Sequence, residues 1–384
     1  MRRALDSSRV PPLGYAILPM DRSSGSGCAS PCPRRGAAFS VTVALLIGGA
    51  ALPVVAQTGA APRAVIIDTD PGTDDAMAIL LALNSPELDV RAFTVVPGNV
   101  TGEQGLQNAL QLVSLAGRCN IPIAAGAQRP LAQKLITAEF VHGRNGMADV
   151  ELPASRCRVD PRFGPDLIIE MVHKMPGQLT LVPLGPLTNI ALAVLKDKSI
   201  VPLVKEVVIM GGSITEGNVT AVAEANIYND PEAAQVVFDA GWKVTMVGLD
   251  VTHRTNFGRA HLERLAKTHG VLNDFATRIM RFLIELSAKF GTEGTPMHDP
   301  LAMGVAIDSS FVRSRHMRVD VETRGQFTRG ATVGNRNNAM EHNELRGDRY
   351  VMTGIDRVEP NVWVAVEVDA ERFMSFFIDR LAGK

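Results

Sequence analysis

The chain has 384 residues, of which 46% are hydrophobic and 21% are charged, and its formal net charge is −1. These values are typical of an ordinary globular protein. Six arginines lie in the first 56 residues, so the remainder is mildly acidic, which excludes a basic surface for nucleic acid.

Residues 1–56 have the composition of an export signal. Arg34 and Arg35 precede an uncharged stretch, residues 36–56, which has a short apolar centre and ends in small residues. This order of basic flank, apolar centre and small-residue end is typical of a secretory signal. We therefore predict cleavage near Ala56 and export to the periplasm or the medium.

The alternative for this segment is a membrane anchor that is not cleaved. Gly48, Gly49 and Pro53 interrupt the apolar stretch, which barely reaches the length of a membrane span. We therefore favour a cleaved leader, followed by one mature domain at residues 57–384. Contact with a membrane is expected only if the leader stays in place. The sequence leaves open whether the paired arginines direct twin-arginine export. It also leaves open whether translation starts at Met1 or at Met20.

Residues 64–83 join an apolar strand to an apolar helix through four carboxylates, Asp68, Asp70, Asp74 and Asp75. The β-branched run 64–67 predicts the strand, and the turn residues Pro71 and Gly72 end it. Carboxylates this close raise one another's pKa unless a cation is present, and hard oxygen ligands suit calcium or magnesium. Helix capping would explain one of these residues but not four. The joint therefore predicts a cation site.

Apolar runs alternate with helical stretches along the rest of the chain. Further strands are predicted at 90–96, 121–125, 179–184, 206–212 and 243–250, and helices at 74–83, 103–116, 187–195 and 231–240. Residues 257–306 are predicted to be largely helical, and the tail to contain strands 317–323, 329–334 and 361–367 and a last helix, 370–381. This alternation indicates an α/β fold, a single large Rossmann-like domain with a mostly parallel central sheet flanked by helices.

Polar residues follow the predicted strands, at the edge of a parallel sheet where ligands bind. They occur in Pro97-Gly98-Asn99, in 185–189, in the loop 211–228 and in His298-Asp299-Pro300. Asn189 lies one turn into a helix, where a side-chain tie to the backbone is more usual than a ligand contact.

Taken together, these segments resemble the inosine-uridine-preferring nucleoside hydrolase family, from about Arg63 to the C-terminus. The sequence DTDPGTDD at 68–75 matches the family's opening signature. Further motifs follow in the family's order, namely Pro97-Gly98-Asn99, Val141-His142-Gly143, 184–189, 209–212, Glu224-Ala225-Asn226 and His298-Asp299-Pro300. An ordered set is far more specific than any one member. The resemblance implies hydrolysis of the N-glycosidic bond of a small ribonucleoside to ribose and free base.

The resemblance also implies a Ca²⁺ site and a ribose site. The metal ligands would be Asp70, Asp75, Asp299 and the backbone carbonyl of Leu184. The ribose would contact Asp74, Asn99, Asn218, Glu224, Asn226 and Asp299, with Met210 packing near the sugar. Asp68 is expected to support its neighbours from behind.

Elementary chemistry is consistent with these roles. Cleavage of the bond passes through an oxocarbenium-like state whose positive charge carboxylates stabilise. Calcium would anchor the ribose hydroxyls and acidify a water molecule, and Asp70 is the predicted general base for direct attack by that water. His298 is the predicted acid for the departing base, and His142, in a glycine-rich loop, is a second candidate. We interpret His253 as structural.

The base cannot be predicted from the sequence. Between Met280 and Met297, where family members often have Tyr or Trp, this chain has only Phe282 and Phe290. Ala225 stands where some relatives have Phe, so one wall of the sugar site is more open. The sequence therefore predicts ribose binding but no preference between purines and pyrimidines.

Two alternatives stay open. A haloacid-dehalogenase-type phosphatase also has an Asp-x-Asp motif, but here Pro71 separates Asp70 from Gly72, and the polar residues of the later loops would be unexplained. A non-catalytic exported nucleoside- or sugar-binding protein would keep the pocket without turnover. Release of free base distinguishes the enzyme from both.

The sequence leaves two further properties undecided, namely the pairing of the cysteines and the oligomeric state. Cys119 and Cys157 remain after the predicted cleavage, and they can pair in an oxidising compartment if they lie close enough. The family's members are commonly dimers or tetramers, so the resemblance implies a homo-oligomer.

Overall fold

Strands and helices alternate in the computed structural model, which describes residues 61–335 and 359–383. The strands are β1 Arg63–Thr69, β2 Leu88–Val95, β3 Ile123–Ala125, β4 Val159–Asp160, β5 Thr180–Pro183, β6 Glu206–Met210, β7 Val244–Val247, β8 Asn256–Phe257, β9 Thr295–Pro296, β10 Val312–Met317, β11 Val319–Val321, β12 Thr332–Gly334 and β13 Val362–Val368. The helices are α1 Thr73–Leu83, α2 Gly102–Leu115, α3 Glu139–His142, α4 Gly164–Lys174, α5 Thr188–Lys196, α6 Ala225–Asn229, α7 Pro231–Phe238, α8 Leu249–Thr252, α9 Arg259–Ala266, α10 Val271–Lys289, α11 His298–Ile307 and α12 Ala370–Leu381.

The central sheet of the described part has nine strands in the order β10-β13-β7-β6-β5-β1-β2-β3-β4. Neighbouring strands run parallel except at one edge, where β10 pairs antiparallel with β13. From β1 the chain first builds outward through β2 to β4 and then returns to the other side of β1 with β5. This reversal between β1 and β5 is a topological switch point, where α/β sheets bind ligands beyond the carboxyl ends of their strands. The predicted α/β fold is confirmed.

Alternate residues of β1 pack into two separate cores on the two faces of the sheet. Val65 and Ile67 belong to the core that contains α1 and α11, whereas Ile66 belongs to the core on the opposite face. A strand covered on both faces has no polar face, which explains the uninterrupted apolar run in the sequence. The central strands therefore form a rigid base for the loops that follow them.

The predicted boundaries fail where a single glycine or arginine divides an apolar run. The predicted strand 243–250 ends at Val247, because Gly248 starts α8 immediately afterwards. The predicted strand 317–323 is instead the end of β10 followed by the short β11. Helix α4 was not predicted.

The predicted leader, residues 1–56, lies outside the described residues, so cleavage near Ala56 and export stay predictions. Within 61–335 and 359–383, every helix is too short or too polar to cross a membrane.

Cys119 and Cys157 form a disulfide, with a Cα–Cα distance of 4.7 Å. It joins the residues after α2 to a segment that runs beside that helix in the same direction. Ser155 Oγ donates to the carbonyl of Leu110 at 2.7 Å, and the Arg156 N–H donates to Ser114 Oγ at 3.0 Å. The disulfide therefore closes a loop that contains the helix α3 and its histidine.

Replacing both cysteines with serine is expected to lower the free energy of unfolding by about 3–4 kcal/mol. The disulfide spans 38 residues, and releasing a loop of that length increases the entropy of the unfolded chain. Thermal unfolding measures the change. The parent protein with a reductant should unfold at the temperature of the double variant, and the variant should not respond to the reductant. Equal melting temperatures for oxidised parent and variant would contradict the prediction.

Candidate active site

The turn between β1 and α1 is closed by the side chain of Asp75. Its Oδ1 accepts hydrogen bonds from the Thr69 hydroxyl and, at 3.2 Å, from the Asp70 N–H. Its Oδ2 accepts from the Gly72 N–H at 3.0 Å and from Asn99 Nδ2 at 2.9 Å. Asp75 thus fixes the backbone that presents Asp70, and it links this turn to the loop after β2.

Asp70 lies in a close-fitting pocket formed by two glycine-containing loops. Its Oδ2 accepts from the Asn99 N–H at 2.7 Å, while its buried Oδ1 has no hydrogen-bond partner among the described residues. A β-carbon on Gly98 would lie 2.1 Å from Oδ2, and one on Gly185 would lie 2.2 Å from Oδ1. Only glycine permits this close approach of the backbone to the carboxylate.

Three carboxylates converge beside this turn, although Asp299 is far along the chain. Oxygen atoms of Asp74, Asp75 and Asp299 all lie within 4.8 Å of one another. Burial, reinforced by the charges of Asp74 and Asp75, raises the pKa of Asp299 well above its ordinary value. Burial also raises the pKa of Asp74 to about 6, and burial with the Asp75 charge raises the pKa of Asp70. A cation would relieve this repulsion.

The donor set fits a hard divalent metal ion. Three carboxylate oxygens are buried without a hydrogen-bond partner in the described part, namely Asp68 Oδ2, Asp70 Oδ1 and Asp74 Oδ1. All the side-chain ligands that the cluster offers are oxygen atoms, which suit calcium or magnesium. The structure includes Asp74 in the compact group of three and leaves Asp70 outside it, whereas the sequence assigned Asp70 to the metal and Asp74 to the ribose.

Asp68 lies behind the cluster, as expected. Its Oδ1 accepts from Thr94 Oγ1 at 2.5 Å and from Asn189 Nδ2 at 2.7 Å, and burial raises its pKa to about 7. Asn189 also accepts from the Ala127 N–H at 2.8 Å. The prediction that Asn189 is a structural tie rather than a ligand is confirmed by these contacts.

A cavity of about 340 Å³ opens above the carboxylates. Every residue that the sequence assigned to the ribose lines it, namely Asp74, Asn99, Met210, Asn218, Glu224, Asn226 and Asp299, and His142, Leu184 and His298 line it as well. Asp70 and Asp75 lie outside the lining and are buried in the turn. The structure therefore brings residues from six separate segments to one polar end of a cavity.

The loop after β6 is organised by the side chain of Glu224. Its Oε2 accepts from the Gly212 N–H at 2.9 Å and from the Ile227 N–H at 3.1 Å, and its Oε1 accepts from the Asn226 N–H at 2.9 Å. Asn226 Nδ2 donates to the carbonyl of Leu184 at 2.7 Å. Glu224 therefore caps α6 and holds Asn226 against the loop after β5, in addition to facing the cavity.

His142 is held against the start of α1. Its Nδ1 lies 3.2 Å from the Thr73 backbone nitrogen and 2.8 Å from Thr73 Oγ1. Because a backbone N–H can only donate, Nδ1 is the acceptor and the ring hydrogen lies on Nε2. Burial lowers the pKa of His142 to about 4, so the ring is neutral at neutral pH.

His298 begins α11 and contacts α8. Its Nδ1 lies 2.8 Å from Thr252 Oγ1, and burial, with smaller contributions from His253 and His142, lowers its pKa to about 3. His253 pairs with Glu216 at 2.9 Å, and its ring centre lies 5.6 Å from that of His298. His253 is not among the residues that line the cavity, which agrees with the structural interpretation.

The lining of the cavity also has an apolar part, which was only partly predicted. This apolar part consists of Phe140, Val141, Val219, Leu283, Leu286, Phe290 and Pro296. Phe290 was among the two aromatic candidates, whereas Phe282 packs against the core. Phe140, which is 76% exposed, was missed. Phe140 directly precedes the Val141-His142-Gly143 motif, and this position could have identified it as a residue of the cavity lining.

Comparisons with known proteins identify relatives of this chain. The sequence model of the inosine-uridine preferring nucleoside hydrolase family matches residues 65–375. An inosine-uridine preferring nucleoside hydrolase from Crithidia fasciculata is 40% identical over 325 residues, covering 83% of this chain and 98% of that protein. The pyrimidine-specific ribonucleoside hydrolase RihA from Photobacterium profundum is 38% identical, covering 84% and 99%. The solved plant nucleoside hydrolase PpNRh1 matches with a TM-score of 0.77 at 38% identity, covering 84% of this chain and 99% of that one.

Proposed function

Because the chain belongs to the inosine-uridine preferring nucleoside hydrolase family, we propose that its cavity binds a ribonucleoside and that Asp70 activates the water that cleaves it. The chain is an N-glycosidase that hydrolyses the bond between ribose and base. The observation that carries the proposal is a group of buried carboxylates with partnerless oxygens, of which Asp74 lines a cavity of about 340 Å³ while Asp68 and Asp70 are buried in β1 and the turn that follows it.

The two ends of the cavity suit the two halves of a nucleoside. The ribose hydroxyls would contact the amide and carboxylate side chains of Asp74, Asn99 and Asn226 at the polar end. The base would lie against the apolar part of the lining, between Phe140 and Phe290, because flat rings stack on aromatic side chains. Buried carboxylates around the sugar favour the positive charge that develops as the bond breaks.

Calcium is the proposed cofactor, held by Asp70, Asp75, Asp299 and the backbone carbonyl of Leu184. The partnerless oxygens and the raised pKa values of the cluster support this choice. When bound, calcium neutralises the cluster, orders the vicinal hydroxyls of the sugar and makes a nearby water more acidic. Whether Asp74 joins the ligand set or contacts only the ribose is decided by comparing Asp74→Asn with Asp75→Asn for calcium affinity.

Asp70 is the proposed general base. The Asn99 N–H holds one oxygen of its carboxylate, and the other has no partner in the described part of the chain, so it is available to accept a proton from water. Gly98 and Gly185 enclose the side chain so closely that it has little freedom to rotate. The proton can therefore be accepted at a fixed position.

We also propose export and self-association. The Cys119–Cys157 disulfide supports an oxidising compartment, which agrees with a leader at residues 1–56. Mass spectrometry of the secreted protein tests cleavage near Ala56. Light scattering tests whether the protein is a dimer or a tetramer.

Incubation of residues 57–384 with inosine, uridine, cytidine and adenosine tests the function and measures the base preference. Free base should appear with calcium, disappear with a chelator and return when calcium is added back. The pyrimidine-specific and the inosine-uridine preferring relatives make the panel necessary. Binding of these nucleosides without any release of base would favour the exported binding protein instead, and it would exclude hydrolysis of the four substrates.

A further inference from the structure

The hydroxyl group of Thr252 contacts the predicted acid. Thr252 Oγ1 lies 2.8 Å from Nδ1 of His298, and the Thr252 residue is fully buried. Within 61–335 and 359–383 this is the hydroxyl's one hydrogen bond. Because the residue is shielded from solvent, water does not offer the hydroxyl an alternative acceptor.

The position of the hydrogen in this contact follows from counting donors. If Nδ1 carried a hydrogen, it would donate to Thr252 Oγ1, and the hydroxyl's own hydrogen would be buried without an acceptor. Leaving a buried donor unsatisfied is unfavourable, and this applies to the Nδ1–H tautomer and to the charged imidazolium alike. Thr252 therefore donates to Nδ1, and the hydrogen of the His298 ring lies on Nε2.

We propose that Thr252 is a positioning residue that fixes His298 as the Nε2–H tautomer, so that this N–H faces the departing base. His298 lines the cavity, and its Nε2 has no hydrogen bond to any other described residue. The inference rests on the proposed function, since it assigns a task to the same site. Thr252 itself does not line the cavity, so it acts only through the imidazole.

This assignment changes the chemistry expected of His298. As the glycosidic bond breaks, its electron pair stays on the base nitrogen, and His298 donates a hydrogen bond to that nitrogen without losing its proton. The water's proton goes to Asp70, and the base takes its proton from solvent. A neutral N–H donor stabilises a developing negative charge where it forms.

Nitrogen NMR of the holoenzyme with calcium tests the tautomer without measuring activity. Spectra of the parent and of His298→Gln identify the ring nitrogens of His298. A protonated Nε2 and an unprotonated Nδ1 are expected in the parent, and the Thr252→Ser variant should keep this pattern. A protonated Nδ1 in the parent would overturn the proposal, whatever the activity.

Leaving-group dependence tests the role in turnover. In Thr252→Val, kcat/KM for inosine or uridine should fall about tenfold to a hundredfold, as for other residues that orient a functional group. The value for p-nitrophenyl riboside should change less than about threefold, because p-nitrophenolate leaves without such help. Thr252→Ser should restore most of the loss.

The matched control is Thr180→Val. Thr180 is equally buried, lies on β5 and has no hydrogen-bond partner for its hydroxyl among the described residues, so the substitution removes a buried hydroxyl that does not bond His298. If Thr252→Val lowered kcat/KM equally for the natural nucleoside and for p-nitrophenyl riboside, the positioning role would be overturned. It would also be overturned if the control variant lost activity with the natural nucleoside alone, as expected for Thr252→Val. Absence of base release by the parent would instead refute the proposed function, and the NMR result would still decide the tautomer.

Discussion

Replacing Asp70 with asparagine is expected to reduce kcat about a thousandfold at saturating calcium. Loss of a general base typically costs two to four orders of magnitude. The amide keeps the size of the carboxylate and an oxygen for the Asn99 N–H, which donates to Asp70 at 2.7 Å. It cannot accept a proton at the second position, where Oδ1 of Asp70 is now partnerless. Steady-state kinetics with the substrate that the parent prefers measures the loss.

Binding separates this effect from damage to the site. The dissociation constant for the ribonucleoside, measured by calorimetry with Asp70→Asn at saturating calcium, should stay within about tenfold of the parent value. Asp89→Asn on β2 is the matched control, because its carboxylate pairs with Arg91 at the surface. A kcat of Asp70→Asn within a few-fold of the parent would remove Asp70 as the base.

The core of the sheet and the polar end of the site could be predicted because their signals are local. A buried parallel strand has to be apolar on both faces, so β1 was visible as a short β-branched run ending in acidic residues. Among the residues that line the polar end, Leu184 directly follows β5, Asn99 lies shortly after β2, and Glu224 lies in the long loop after β6. Parallel strands present such residues at one edge, so their convergence follows from the alternation of strands and helices.

Contacts between distant segments could not be predicted in this way. Thr252 and His298 are 46 residues apart, and nothing in a run of apolar residues shows that a threonine hydroxyl faces a histidine. The disulfide likewise depends on the path of residues 143–157 along α2, which contain little regular structure. Helix α8 was mistaken for the end of a strand, because the four residues after Gly248 are too few to show a helical period.

The metal-free protein is expected to become less stable as pH rises from about 6 to 8. Burial raises the pKa of Asp68 to about 7, from an ordinary value of 3.8, and raises those of Asp70 and Asp299 well above the ordinary value. In this range the folded protein binds more protons than the unfolded chain, so the free energy of unfolding falls as pH rises. The buried histidines, His142 and His298, have lowered pKa values. Their opposite contribution ends about one unit above 6.5, the ordinary value, so it offsets only the first part of the fall.

Calcium should reverse this trend, because an ion that binds the ionised carboxylates replaces the protons as their partner. The melting temperature of the metal-free protein should be lower at pH 8 than at pH 6 by about 5 °C or more. Saturating calcium should raise it more at pH 8 than at pH 6. Asp299→Asn removes one of the repelling charges, so it should flatten the metal-free profile and weaken the calcium effect. A calcium-induced increase that is the same at both pH values would show that the ion does not bind at this cluster.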